Sequence, residues 1–209
     1  MNKLLTEFLG TFFLVLTIGL VVLGQVPGAP LFIGLALAAM VYMGGSISGA
    51  HYNPAVSIAA VMRGALPARE LGGYITAQVV GAIAAAAMAW VLTGETFAPM
   101  PGLAATSLNA VLVEALYTFA LVLVVLNVAV SARNAGNSYF GAAIGLTVAV
   151  AAAAGGEISG GAFNPAVAIG PTVVHALFGG GSWSAIWIYL VGPLTGGVLA
   201  AIAHRFQER

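Results

Sequence analysis

The chain has 209 residues, of which 61% are hydrophobic and 6% are charged, and its formal net charge is zero. About a quarter of the residues of a soluble domain are charged, so this chain has too little charge to cover a water-facing surface, and a membrane is its expected solvent. The zero net charge disfavours nucleic acid as a partner, and the lack of cysteine excludes a disulfide framework, a thiolate metal site and a thiol nucleophile.

Six stretches are apolar over about the 20 residues that a helix needs to cross a bilayer. The first is not a signal peptide, because its apolar run is too long, contains Glu7 and precedes no small-residue cleavage site. Two further apolar segments, 53–63 and 164–175, are about half a span long, which indicates re-entrant pieces. The six predicted spans are 4–24, 31–49, 70–93, 108–130, 139–156 and 184–204.

The basic residues all fall on one face of this arrangement, and the other face carries only Glu95 and Glu157. The positive-inside rule therefore predicts that both termini are cytoplasmic. The short termini and loops favour a multi-pass protein of a prokaryotic plasma membrane. The basic residues are Lys3, Arg63, Arg69, Arg133, Arg205 and Arg209.

The two halves of the chain repeat one another. "GGSISGAHYNPAVSI" at 44–58 matches "GGEISGGAFNPAVAI" at 155–169, and "EFLGTFFLVL" at 7–16 matches "EALYTFALVL" at 114–123. Each half holds three spans, and an odd number of spans inverts the second copy relative to the first. We therefore expect one membrane channel domain over 1–209, built from inverted repeats 1–104 and 105–209. Its site is expected near the bilayer midplane, where discontinuous helices meet.

Each repeat carries Asn-Pro-Ala directly before its half-helix. Asn is a favoured N-cap and Pro is favoured at the first helical position. Asn53-Pro54-Ala55 and Asn164-Pro165-Ala166 are therefore predicted to begin half-helices whose positive ends face each other at the membrane centre. The small residues of "SISGAHY" and "EISGGAF" predict extended chain beside a water-filled cavity. Two capped helices without a pore are the alternative, which the presence of two inverted copies disfavours.

A pore between these elements would have both donors and acceptors. Each asparagine amide offers an N–H donor to a passing molecule, and the summed positive potential of the two helix ends opposes cations, including hydronium. The carbonyl groups that precede the asparagines offer acceptors. These pore-lining carbonyls are predicted at Gly49, Ala50, His51, Gly160, Gly161 and Ala162.

The paired "NPA" boxes, the context "SGAHYNPAVS", the opening "TEFLGTF" and the stretch "VEALYTFALV" resemble the aquaporin (major intrinsic protein) family over essentially the whole chain. The resemblance implies an all-α membrane protein with six transmembrane helices and two re-entrant half-helices. It also implies a homotetramer with four pores and passive conduction of water or small neutral solutes. No catalytic constellation is found, so no enzyme activity, cofactor or metal is expected.

By the family's pattern, the selectivity filter falls on Ile33, Ala152, Gly161 and Val167. Most water-selective relatives have Arg at the last of these places, and its loss removes five donors and a fixed charge. We expect an opening that is wider and more apolar than a strict water filter. Glycerol, urea, ammonia and uncharged metalloids then become candidate solutes beside water. Against a dedicated glycerol channel, Ala168 stands where glycerol facilitators usually have Asp. An apolar ring can also close a pore by dewetting.

Glu7 and Glu114 occupy equivalent points in the first and fourth spans, and an ionisable group inside a bilayer is costly unless it has partners. One hypothesis, which the resemblance also implies, is that each carboxylate accepts hydrogen bonds from the re-entrant loop of its own half. The alternative is a proton-coupled secondary transporter that uses one of them as its proton site. A non-conducting structural membrane protein is a third hypothesis, disfavoured by the short loops. His51 is expected to brace its loop, and a pH-sensing role is the less favoured alternative.

Overall fold

The computed structural model describes residues 1–209 and consists of helices and their connections. Six helices are long and apolar enough to span a membrane, and two are shorter, which confirms the predicted fold class. The long helices are α1 (Asn2–Leu23), α2 (Ala29–Ser48), α4 (Leu71–Thr93), α5 (Ser107–Val125), α6 (Phe140–Ser159) and α8 (Ile186–Gln207). The short helices are α3 (Pro54–Met62) and α7 (Pro165–Phe178).

The predicted span 31–49 agrees with the end of α2 at Ser48, whereas α6 continues past the predicted end at 156. The prediction that "SISGAHY" and "EISGGAF" are extended throughout is wrong, because α2 continues to Ser48 and α6 continues to Ser159. Each helix stops at a glycine in the left-handed region, with φ +88° at both Gly49 and Gly160. Such a residue is a common helix C-terminus. Only 49–52 and 160–163 are therefore non-helical loop.

The helices pack as two equivalent sets of three around a central crossing. α1 packs on α4 and α5 packs on α8, which are corresponding pairs of the two halves, while α2 crosses α6 between the halves. The crossing is close because glycines meet there: a Cβ on Gly34 would lie 2.6 Å from the Cβ of Ala149. Small residues allow such close approach of membrane helices.

The six crossings bring both chain ends to one side of the bundle, which we call the terminal face; the other side is the opposite face. Loop 49–52 enters from the terminal face and α3 returns to it. Loop 160–163 enters from the opposite face and α7 returns to that face. The six Lys and Arg residues lie on the terminal face, whereas Glu95 and Glu157 lie on the opposite face.

Candidate functional site

The two re-entrant loops share an unusual backbone. Tyr52 and Phe163, which directly precede the asparagines, have φ of +51° and +49°. A non-glycine residue in the left-handed region costs about 1–3 kcal/mol and persists only when its surroundings hold it. Ala50 is also left-handed with φ +52°, and its counterpart Gly161 has φ +67°. The two loops therefore turn in the same way and need the same kind of support.

That support comes from two buried carboxylates. Glu7 Oε1 accepts from Ser48 Oγ at 2.6 Å and from the backbone N–H of His51 at 2.9 Å, and its Oε2 accepts from the N–H of Tyr52 at 2.7 Å. A fourth bond to Oε2 comes from Gln78 Nε2 at 2.8 Å. Each of these bonds fixes a loop N–H or a side chain that packs beneath the loop.

Glu114 supports the second loop in the same manner. Its Oε1 accepts from Ser159 Oγ at 2.8 Å and from the N–H of Ala162 at 3.0 Å, while its Oε2 accepts from the N–H of Phe163 at 2.6 Å. Both glutamates have no exposed surface. The hydroxyl groups of Tyr74 and Tyr189 add matching bonds to the carbonyls of Ser48 and Ser159.

The asparagines cap the half-helices and tie the two loops together. Asn53 Oδ1 accepts from the N–H of Ala55 at 2.8 Å, and Asn164 Oδ1 accepts from the N–H of Ala166 at 2.9 Å. Asn164 Nδ2 donates to the carbonyl of Tyr52 at 2.8 Å, across the boundary between the repeats. An amide nitrogen carries two hydrogens, so one hydrogen of this nitrogen is left for a further acceptor.

Three main-chain acceptors of each loop are free. Within the chain, the carbonyl oxygens of 49–51 and 160–162 accept no hydrogen bond. An unpaired carbonyl at membrane depth is costly unless it meets water or solute. Both loops therefore present acceptor oxygens that require a wet passage.

Such a passage is present as a cavity of about 320 Å³ that runs beside both loops. Ile33, Ala152, Gly161 and Val167 line it together with Asn53 and Asn164. Five of the predicted carbonyl residues line it as well: Ala50, His51, Gly160, Gly161 and Ala162.

A second cavity of about 270 Å³ adjoins the first on the terminal side. It contains Gly49 and shares His51 and Val125 with the first cavity. Glu7 and Glu114 line neither cavity.

Apart from Ile33, the sequence analysis missed the aliphatic wall of the cavity. Its residues lie one helical turn apart on four helices, and each has a partner in the other repeat. The repeat could have identified them, because the partners on α1 and α5 are 107 residues apart and the partners on α2 and α6 are 111 residues apart. The wall pairs are Leu14 with Leu121, Ile18 with Val125, Ile33 with Ile144, and Leu37 with Val148.

The two halves differ in the polar groups beneath their loops. In the first half, Gln78 donates to Ser57 Oγ at 2.9 Å, and His51 Nδ1 lies 3.1 Å from the same oxygen. In the second half, Ala162 corresponds to His51, Ala168 to Ser57 and Pro193 to Gln78. The sequence analysis also missed Gln78, although a glutamine in the middle of an apolar span is a detectable signal.

The other two histidines lie away from the cavity. His175 Nδ1 is 2.8 Å from Thr96 Oγ1, and His204 Nδ1 accepts from Arg63 Nε at 3.0 Å. No group of three His, Glu, Asp or Cys side chains is close enough to hold a metal ion.

Comparisons with known proteins match the whole of this arrangement. The model of the family "Major intrinsic protein" matches residues 1–204. The "Glycerol uptake facilitator protein-like 6" of Lactiplantibacillus plantarum is 40% identical over 221 residues, which cover 98% of this chain and 97% of that protein. "Aquaporin NIP1-1" of Zea mays is 36% identical over 213 residues, covering 97% and 73%. "Aquaporin AqpM" of Methanothermobacter thermautotrophicus is 34% identical over 238 residues, covering 98% and 96%.

A solved structure has the same fold. The X-ray structure of the aquaglyceroporin from Plasmodium falciparum superposes with a TM-score of 0.86 at 24% identity. The match covers 100% of this chain and 95% of that one.

Proposed function

The chain belongs to the major intrinsic protein family, and from that premise we propose that its cavity is a pore that passes glycerol and urea as well as water. The class of activity follows from the family: the protein is a passive membrane channel for water and small neutral solutes and is not an enzyme. What we propose is the set of residues that conduct and the range of solutes that they admit.

Val167 is the observation that carries the wide solute range. It lies in the first turn of α7 and lines the cavity with Ile33, Ala152 and Gly161. None of these four side chains carries a charge or a hydrogen-bond donor, so a solute larger than water meets no cation that narrows the opening. The name of the L. plantarum relative, a glycerol uptake facilitator, agrees with this range.

The donors and acceptors of the site account for a passive mechanism. A molecule between Asn53 and Asn164 can accept an N–H from each amide, which turns its own hydrogens away from the centre. Those hydrogens then meet the free carbonyls of 49–51 on one side and of 160–162 on the other. The two half-helix ends contribute positive potential at the same point, which opposes the passage of cations.

The proton-coupled transporter is not supported. The carboxylate oxygens of Glu7 and Glu114 accept hydrogen bonds from the loops. Both side chains have no exposed surface, and they line neither cavity.

Orientation and assembly are further parts of the proposal. We infer that the terminal face is cytoplasmic, because all six basic residues lie there. A homotetramer with one pore in each copy is proposed from the sequence resemblance, and the plasma membrane is proposed from the short loops.

Stopped-flow light scattering on proteoliposomes tests the solute range. Wild type should pass water, glycerol and urea faster than empty liposomes do. Val167→Arg should keep water but lose glycerol and urea by about tenfold or more, since an added charge and bulk at the filter raise the barrier for larger solutes. Val167→Ala is the matched control and should keep all three. A wild type that passes water alone would contradict the wide opening, and a wild type that passes nothing would indicate a closed apolar ring.

A further inference from the structure

Glu157 is the one charged side chain among the residues that line the main cavity. It lies in the last turn of α6, close in sequence to Gly160 and Gly161, which also line the cavity and whose carbonyls accept no hydrogen bond within the chain. Its carboxylate makes no hydrogen bond and no ion pair within the chain. It is exposed, so it meets whatever arrives at the opposite face.

No positive charge balances this carboxylate. All six Lys and Arg residues are on the terminal face. The filter position at which most water-selective relatives have Arg is occupied by the uncharged Val167. The C-terminal end of α6 adds the negative end of a helix dipole at the same place. The mouth on the opposite face is therefore negative.

Within the main cavity the polar groups at this mouth are acceptors, and the donor amide of Asn109 lies in a separate hollow that Glu157 also borders. Besides Glu157, the polar side chains that line the cavity are His51, Tyr52, Asn53 and Asn164, which belong to the central loops. At the end of the cavity where α1 stops and α2 begins, the wall is aliphatic, with Val22, Ala29, Pro30 and Ile33. A solute that leaves water here can replace lost hydrogen bonds only with its own donors, given to the carboxylate or to loop carbonyls.

We propose that Glu157 is a specificity-determining residue that favours solutes with paired N–H donors, and that urea is the neutral solute it favours most. A carboxylate accepts two parallel N–H bonds from a planar fork such as that of urea. Guanidinium presents the same fork with a positive charge, so it should bind Glu157 but be stopped by the half-helix ends at the centre. Guanidinium is therefore a blocker of this mouth. The inference rests on the proposed function, because it assigns a preference to the same pore.

The test compares Glu157→Gln with Glu95→Gln in proteoliposomes. Glu95 is the other acid of the opposite face and lines neither cavity, so it is a matched control. In Glu157→Gln, urea permeability should fall by about threefold because the second acceptor and the charge are lost. Glycerol should fall less, and water should not change. Glu95→Gln should behave as wild type in every flux.

Guanidinium gives a second readout that a structural role would not produce. Millimolar guanidinium chloride should slow water flux through wild type and through Glu95→Gln, relative to the same concentration of sodium chloride. It should have little effect on Glu157→Gln, and high salt should weaken the block in wild type because the charge is screened.

Equal urea flux in wild type and Glu157→Gln, together with equal sensitivity to guanidinium, would overturn the inference while the channel itself stands. The water-flux readout also keeps the two proposals separate. A wild type that passes water but no urea contradicts the proposed solute range, and the urea preference falls with it. Block of its water flux by guanidinium would then still decide whether Glu157 binds a planar cation at the mouth.

Discussion

The side-chain amide of Asn53 donates a 2.9 Å hydrogen bond to the backbone carbonyl of Phe163. The capping residue of one half-helix is thereby bonded to the loop of the other repeat. The reverse bond, from Asn164 to Tyr52, measures 2.8 Å. Tyr52 and Phe163 are the two aromatic residues held at positive φ, so each bond secures a loop at a strained residue. The centre of the molecule is a reciprocal lock between the two repeats.

Removal of one side of this lock should destabilise the protein. Asn53→Ala deletes the cap of α3 and the donor to Phe163, and we expect the free energy of unfolding to fall by about 1–3 kcal/mol. Asn109→Ala is the control, because Asn109 is an exposed residue of α5 whose side chain makes no hydrogen bond. Its change should stay within about 0.5 kcal/mol. Unfolding in detergent measures both, and equal stability of the two variants would contradict the lock.

The carboxylate of Glu7 should matter through the loop that it holds. In Glu7→Gln an amide NH₂ replaces one acceptor oxygen and faces an N–H donor of the loop, which should cost about 1–3 kcal/mol of stability. Glu70→Gln removes only the 3.0 Å ion pair to Lys3. That pair is exposed, so its loss should cost at most about 1 kcal/mol. Thermal unfolding in detergent with water permeability in parallel is the measurement, and a Glu7→Gln variant as stable as Glu70→Gln would contradict the bracing role.

The crossing of α2 and α6 should tolerate no side chain at Gly145. A Cβ there would lie 2.7 Å from the Cβ of Ala38 and 2.9 Å from its backbone nitrogen. Overpacking of this kind costs about 1–3 kcal/mol. It should also alter glycerol flux, because α2 and α6 carry Ile33 and Ala152. Gly72→Ala meets nothing within 4 Å and should be neutral or slightly stabilising. Expression, unfolding and glycerol flux of the two variants check this, and a Gly145→Ala protein indistinguishable from wild type would refute it.

The C-terminal tail should respond to acid. The hydroxyl of Ser131 donates to Glu208 Oε1 at 2.7 Å, which lowers the pKa of that carboxyl. A lowered pKa means that the contact is fully present above the ordinary carboxyl pKa and is lost as the pH falls through the lowered value. Ser131→Ala should raise the pKa of Glu208, whereas Ser138→Ala, at an exposed serine of the same loop, should not. NMR titration of the labelled Glu208 carboxyl measures this shift, and equal titration curves in the two variants would rule out the contact.

The sequence predicts the fold well where the signal is local. Apolar length gave the six spans, and Asn followed by Pro gave the starts of α3 and α7, because both signals act within a few residues. The end of α6 was missed, since the span was predicted to stop at 156 and "EIS" looks like loop although Ser159 closes the helix. The bond from Gln78 to Glu7 joins residues 71 positions apart, and no local pattern encodes such a partner. The roles of Ile33, Ala152, Gly161 and Val167 as a filter stay predictions.

The free carbonyls of the two loops have a consequence for how such a protein can diverge. These acceptors belong to the main chain, so exchange of a side chain does not delete them, whereas the wall opposite consists of replaceable side chains. Drift at Val167, Ala152 or Glu157 can therefore change the permeant without rebuilding the passage. The two halves already show this freedom, since His51, Ser57 and Gln78 in one copy correspond to Ala162, Ala168 and Pro193 in the other on matching backbone. A duplicated scaffold of this kind can keep its pore while the set of solutes that pass through it changes during evolution.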